Sequence, residues 1–255
     1  MKVLGIIPAR MSATRFPDKP MEKILGIPMV GHCYFRARLS SLIDDLYVAT
    51  CDKIIYDYII SIGGNAIMTS DKHERATERT AEALKNIELD KSINYDIIVM
   101  IQGDEPLVDP TMIDDSIKPL INDKKQVTNL MVRMDNFDEI SNPNNVKVVI
   151  DSKGNSIYMS REPIPSGKKC NKKIDFFRQL GIISFTRDAL IQFIKLKMSR
   201  LEIIESIDMN RFIENNIPIF MVETKLEVDA VDTPIDLERV TNKMIKDKLF
   251  QYYKK

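Results

Sequence analysis

The sequence predicts an α/β protein: a mostly parallel central sheet flanked by helices, with a smaller mixed β and loop region appended. Three observations carry this. Apolar runs of strand length alternate with helix-spaced stripes through residues 1–120, the order of a parallel sheet with crossover helices. Two of those runs, 3–7 and 96–101, are apolar almost without interruption, the mark of strands covered on both faces. Beyond residue 127 the strands follow one another with a hairpin signal between them, so the crossover rule lapses there.

Taken in order, the run 3–7 is ended by Pro8. Residues 9–20 hold Pro17 and Pro20 and cannot form a regular helix. Gly26, Ile27 and Pro28 make a turn, and Pro28 suits a first helical position, after which Met29, Cys33, Arg36, Ala37 and Ser40 recur at helical spacing. Residues 46–49 form a second strand. Ile54, Ile55, Tyr58, Ile59 and Ile62 give a helical stripe stopped at Gly63 and Gly64. A short strand at 65–68 and a helix at 77–89, with Leu84 and Ile87 inward, precede the central strand 96–101.

The second half predicts a strand at 127–134 and a hairpin of 146–150 with 156–159, Gly154 supplying the positive φ of its turn. Residues 161–175, with Pro163, Pro165 and Gly167 and an excess of lysine, form an irregular surface loop, material for a dimer contact or a lid. A strand at 181–186, helices at 188–198 and 202–214 and a strand at 217–222 follow. The last helix starts at Thr233, a good cap, with Pro234 in its first turn and Asp236 favouring its positive end. With no internal repeat, residues 1–255 read as a single domain, and approximately 135–180 as a hairpin and loop subregion.

Composition narrows the class. Lys and Arg number 37 against 37 Asp and Glu, so the formal charge is zero, which argues against general nucleic-acid or anionic-membrane binding. Hydrophobic residues at 44% and charged residues at 29% exclude a disordered chain or a coiled-coil rod. Three scattered cysteines and two histidines suit neither a disulfide framework nor a structural zinc site. The chain opens directly on an apolar strand and holds no run of about 18 apolar residues, from which we expect a cytoplasmic protein with no membrane partner.

Ligands of open parallel sheets bind beyond the carboxyl ends of the strands. The first such end carries Arg10, Arg15 and Lys19 with Ser12 and Thr14 between them, either an anion cradle or a solvated basic loop. It is neither a Walker A loop nor a dinucleotide fingerprint. The central strand runs into Gln102, Gly103, Asp104, Glu105 and Pro106, where the acids are either turn residues or the seat of a hard metal. Asp229 and Asp232 precede the last helix; Asp232 serves either that helix start or, with a second carboxylate and a phosphate, Mg²⁺. His32 fits a packed or capping role, and His73 is either a ligand-facing residue or part of a helix start. No GxSxG or HExxH motif is present.

Together these segments resemble one family. IIPARMSATRFPDKP is similar to the IIPARxxSTRxPGKP opening of 3-deoxy-manno-octulosonate cytidylyltransferases (CMP-Kdo synthetases), HERATER to their HxSGTxR and IQGDEPLVDP to their VQGDEPxxxP. NPNNVKVVID, IYMSREPIP, RQLGIISFTRDAL, LEIIES and VDTPIDLERV match later blocks in the same order, so the resemblance spans essentially the whole chain.

The resemblance implies a fold like that of nucleotide-diphospho-sugar transferases, with its smaller region serving dimerisation. It implies a homodimer using Mg²⁺ to transfer CMP from CTP to a 3-deoxy-2-keto sugar acid, with release of pyrophosphate. Arg10, Ser12, Arg15 and Lys19 would meet the phosphates, Pro8, Ala9, Thr77 and Arg79 the nucleoside, and Asp104 and Asp232 the metal. Arg15, Lys19, Asp104 and Asp232 would be the catalytic set. Gln102 would lie by the nucleotide or the sugar acid, and Asn145, Arg161, Gln179, Glu205 and Asp208 near the sugar acid or its supports. Departures from the pattern fall at Gln179, where the family has His, at Asp208 and Met209, where it has Glu and Gln, at Arg75 and Ala76 in place of Ser and Gly, and at Asp18 in place of Gly. Two of them, Gln179 and Met209, fall where the sugar would be read, which points to a modified acid such as an 8-amino form. Another anionic acceptor such as a phosphonate, or a catalytically silent nucleotide-binding protein, are the alternatives.

Overall fold

The computed structural model describes residues 1–12, 16–169, 171, 173–226 and 229–254. The chain forms two compact units, Met1–Asp114 with Val228–Lys255, and Asp115–Glu227.

In the first unit β1 (Val3–Ala9) is buried at every residue, as its unbroken apolar run predicts. One 3-10 turn at Lys19–Met21 leads to a small antiparallel pair, β2 (Lys23–Ile24) and β3 (Ile27–Pro28), and then to α1 (Met29–Ala37). β4 (Asp45–Thr50), α2 (Lys53–Ser61), β5 (Ala66–Met68), α3 (Ala76–Lys91) and β6 (Ile97–Ile101) complete the alternation. The strands lie in the order β6-β1-β4-β5, all parallel, with Gly5 opposite both Leu46 and Val99. Parallel pairing sends the carboxyl ends of β1 and β6 out of the same edge, so the loops after Ala9 and Ile101 emerge side by side. Gly103 brings them closer: a Cβ there would stand 3.1 Å from the Pro8 carbonyl oxygen, so the residue must be small.

The boundary between the units falls within α4 (Pro110–Asn122). Pro106, Pro110 and Pro119 punctuate this stretch. Pro110 nevertheless occupies the start, and Met112, Ile113, Ile117 and Leu120 bury one face at helical spacing.

The second unit contains β7 (Val127–Met134), α5 (Phe137–Ser141), β8 (Lys147–Ile150), β9 (Ser156–Ser160), β10 (Phe176–Thr186), α6 (Arg187–Lys195), α7 (Arg200–Glu205), α8 (Asn210–Glu214) and β11 (Phe220–Thr224). Here β11 is parallel to β7, while β7–β10, β10–β8 and β8–β9 are antiparallel. The hairpin turn forms as expected: Asp151 accepts the N–H groups of Lys153 and Asn155, and Gly154 takes φ +80°. A single helix over 202–214 does not form. Ser206 adopts φ +53° and breaks it into α7 and α8.

β10 is bulged between Gln179 and Ile183. Asn129 repairs the break, its Nδ2 donating to the carbonyls of Leu180 (2.8 Å) and Ile182 (3.0 Å). The chain returns to the first unit with α9 (Pro234–Ile245) and α10 (Phe250–Tyr253). Thr233 and Asp236 cap α9 reciprocally, each side chain taking the other's backbone N–H. Val240, Met244 and Phe250 of these helices pack with Ile24, Met29 and Val231 in one buried cluster.

Candidate active site

The 3-10 turn carrying Lys19 begins at Asp18, which takes the left-handed conformation, φ 59° and ψ 9°. That accounts for the glycine of the family pattern at this position and for its replacement by aspartate, one of the few side chains that tolerate such a φ. Lys19 Nζ donates to Asp104 Oδ2 at 2.8 Å and to the Val231 carbonyl at 2.8 Å, and lies 3.6 Å from Asp232 Oδ1. Its side chain is 13% exposed, against 30% and 29% for Asp104 and Asp232, so the ammonium is the more enclosed partner. The Val231 N–H donates to the Asp104 carbonyl at 2.9 Å. Three residues far apart in sequence thus meet at one ammonium.

Asp229, the other acid before α9, is neutralised separately by Arg239 and Lys243. Among the described residues no group of three or more His, Cys, Asp and Glu stands together as a metal cage. The available donor set is the carboxylate pair.

Pro8 and Ala9 end β1 and are buried. Arg10 is exposed, its guanidinium donating to the His73 carbonyl at 3.4 Å, and Ser12 is exposed beside it. Arg15 and Thr14 lie outside the described residues. Gln102, half-buried, directly follows β6.

On α3 Thr77 is fully buried and Arg79 is 3% exposed. Arg79 Nη1 donates to Thr69 Oγ1 (2.5 Å) and the Ser70 carbonyl (3.2 Å), while its Nη2 is buried with no hydrogen-bond partner among the described residues. His73 pairs through Nε2 with Glu82. Burial works to raise the Glu82 pKa, but the Ser70 N–H and His73 outweigh it and hold the carboxyl below its ordinary range.

The second unit gathers most of the remaining candidates. Arg161 Nε donates to the Glu205 carbonyl (2.7 Å), Nη1 to the Pro143 carbonyl (2.9 Å) and Nη2 to the Ser206 carbonyl (3.2 Å). Glu205 returns the contact: its carboxylate accepts the Arg161 N–H (2.9 Å), Tyr158 Oη (2.6 Å) and Ser160 Oγ (2.8 Å). Burial raises the Glu205 pKa, yet these three donors and the Arg161 charge prevail and keep it low. Asn145 takes Nη1 of Arg178 on its Oδ1 at 3.2 Å.

Gln179 Nε2 donates to Asn129 Oδ1 at 2.7 Å. Because Asn129 already spends its Nδ2 on two carbonyls, its oxygen is the acceptor, and that fixes which end of the Gln179 amide is turned away. Asp208 lies in the turn between α7 and α8, its carbonyl accepting the Arg211 N–H. Met209, which the resemblance sets in the region that would read the sugar, is completely buried with the apolar core.

Two of the contacts in these clusters carried no usable signal in the sequence. The Val231 carbonyl is a backbone atom. Lys147 was visible only as a cation within the apolar run VKVVI, and its partners are backbone carbonyls.

A cytidylyltransferase family profile matches residues 4–224. The 3-deoxy-manno-octulosonate cytidylyltransferase of Fusobacterium nucleatum is 43% identical over 95% of this chain and 96% of its own. The enzyme of that name from Geotalea uraniireducens is 38% identical over 96% of this chain and 100% of its own. A solved structure of CMP:2-keto-3-deoxy-manno-octonic acid synthetase complexed with CTP superposes with a TM-score of 0.88 at 31% identity, covering 96% of this chain and 99% of that one. A glucose-1-phosphate thymidylyltransferase described as putative, from Bacillus anthracis, at 18% identity and a TM-score of 0.69, shares the fold. Fold, charged site and kinship together define a CTP-dependent nucleotidyltransferase. The chain belongs to the 3-deoxy-manno-octulosonate cytidylyltransferase family. Among the described residues no helix is long and apolar enough to cross a membrane.

Proposed function

We propose that this protein transfers CMP from CTP to 3-deoxy-manno-octulosonate (Kdo), releasing pyrophosphate. The observation that carries the reading is the meeting of Lys19, Asp104 and Asp232 in one charged cluster beyond the carboxyl ends of β1 and β6, beside the relatives' activity. The 2-hydroxyl oxygen of the acid forms a bond to the α-phosphorus, the bond from that phosphorus to the bridging oxygen of pyrophosphate breaks, and the hydroxyl proton passes to water. Such a transfer needs charge neutralised on both sides of phosphorus more than it needs a covalent nucleophile.

A divalent ion suits the carboxylate pair, since Mg²⁺ is commonly held by one or two carboxylates and completes its shell with phosphate oxygens and water. Asp104 and Asp232 would hold it, and when bound it supplies charge neutralisation at the α-phosphate and the acceptor oxygen. Lys19, with Arg10, Ser12 and Arg15, binds the triphosphate and offsets charge on the departing pyrophosphate. Arg79 binds the base. Its buried, unpaired Nη2 is a donor that matches the N3 and O2 acceptors of cytosine, whereas uracil presents an N–H at N3. Pro8, Ala9, Thr77 and Gln102 line the same nucleotide half.

Asn145, Arg161, Gln179, Glu205 and Asp208 serve the acceptor half, and the homodimer implied by the family resemblance belongs to the same reading. A second acceptor is favoured by Gln179. With one Nε2 hydrogen committed to Asn129, the Gln179 amide keeps its oxygen, an acceptor suited to an ammonium such as that of an 8-amino acid, beside its second N–H.

Pyrophosphate release is the test, measured with CTP, Mg²⁺ and a panel holding Kdo, its 8-amino form and a phosphonate. Turnover with Kdo or its 8-amino form supports the reading and ranks the two. Turnover with the phosphonate alone, or with no acceptor, overturns it. Light scattering at micromolar concentration tests the dimer.

A further inference from the structure

We propose that Lys147 is a positioning residue for the acceptor half of the reaction, a buried ammonium that ties the segment carrying Asn145 to the segment carrying Arg161. Lys147 opens β8 and has no exposed surface. Its Nζ donates to the carbonyls of Asn142 (3.1 Å), Asn145 (2.7 Å) and Arg161, so each of its three N–H groups has an acceptor and none of these is a carboxylate.

Burying a cation without a carboxylate partner is costly. Desolvation pushes the Lys147 pKa down, with Glu162 and Glu205 working to raise it and Arg161 to lower it.

That cost accompanies a specific geometry. The peptide groups on both sides of Arg161 are fixed, its N–H by the Glu205 carboxylate and its C=O by Lys147. The guanidinium of Arg161 then crosses to the Pro143 carbonyl, so the two segments are joined a second time between the same neighbours. Lys147 need not touch a substrate. Removing its charge frees Asn145 and Arg161 to move relative to each other, and the loss is felt in acceptor binding. The inference rests on the reading that Asn145 and Arg161 serve the acceptor.

The experiment is steady-state kinetics of the full-length Lys147→Met variant, which keeps length and loses the ammonium, with Kdo and CTP varied separately and a thermal melt alongside. The expected result is an acceptor KM raised at least about tenfold with the CTP KM within about twofold of wild type. Unchanged acceptor KM, or equal rises in both, overturns the proposal. If Lys147→Met does not fold, Lys147→Arg is measured and the same one-sided change is expected; failure of both to fold makes Lys147 a folding element only and overturns the proposal. Arg161→Ala, assayed in parallel, separates the two ideas. If it leaves the acceptor KM unmoved, the reading of the acceptor half fails. If it raises that KM while Lys147→Met does not, only the positioning role fails.

Discussion

The backbone N–H of Val231 donates to the carbonyl of Asp104 at 2.9 Å, laying the segment before α9 against the loop that leaves β6. The carboxylates of Asp104 and Asp232 thereby come within reach of a single ammonium, Lys19, which also holds the Val231 carbonyl. Val231 itself is anchored in the apolar cluster of Ile24, Met244 and Phe250, so packing of the C-terminal helices bears directly on where the acids stand.

Asp104→Asn and Asp232→Asn should each lower kcat by at least about a hundredfold while the fold survives, since each swap keeps shape and deletes one charge. Circular dichroism and pyrophosphate release at several Mg²⁺ concentrations check this. Near-normal turnover of either variant at low Mg²⁺ removes that residue from the metal assignment.

Arg79→Met should raise the CTP KM by about 10- to 100-fold and narrow the preference for CTP over UTP. A hydrogen bond from a charged donor contributes roughly 1.5–3 kcal/mol, and here the donor is buried. Competition kinetics with both nucleotides reads the effect; an unchanged CTP/UTP ratio counts against base recognition by this side chain.

Met209→Gln restores the family pattern and should do little for the acceptor. The side chain is fully enclosed, so an amide there lacks water and costs about 1–3 kcal/mol of stability. Urea denaturation should show the loss, with acceptor preference unaltered. A change in acceptor ranking at unchanged stability contradicts this placement.

Acidification should act through Glu205. Burial pushes its pKa up, but the Arg161 N–H, Tyr158 and Ser160 hold it below the ordinary value, so the folded pKa lies under the unfolded one. A depressed carboxylate contributes stability that is full above about pH 4.3, the unfolded value, and lost as pH falls through the folded value. Glu205→Gln should therefore be less stable than wild type at pH 7, with the gap closing on the acid side of pH 4. Paired denaturation curves at pH 7 and pH 3.5 measure it, and a gap independent of pH refutes the linkage.

Much of the fold was legible because it is written in local periodicity. The unbroken apolar runs of β1 and β6 and the stripe of α2 declared themselves, as did the Thr233–Asp236 cap, whose two side chains lie within one turn. The candidate residues of the charged cluster were also named from the sequence, because a lysine and two aspartates stand in ordered blocks at loop positions after strands or before a helix. Less local features were hidden. The helix 110–122 was masked by prolines, one at its start and one inside it, and the split between α7 and α8 turns on the single φ of Ser206.

By itself, then, the sequence determined the alternation of strands and helices in the first half, the chemistry available and the family pattern that chemistry resembles. Tertiary structure alone decided that Lys19 sits between Asp104 and Asp232, that Met209 is core, and that Lys147 is spent on carbonyls. The physical reason is that periodicity reports which face of an element is buried, whereas these contacts join residues distant in sequence. Several of them end on backbone oxygens, which every residue type carries and no side-chain pattern distinguishes.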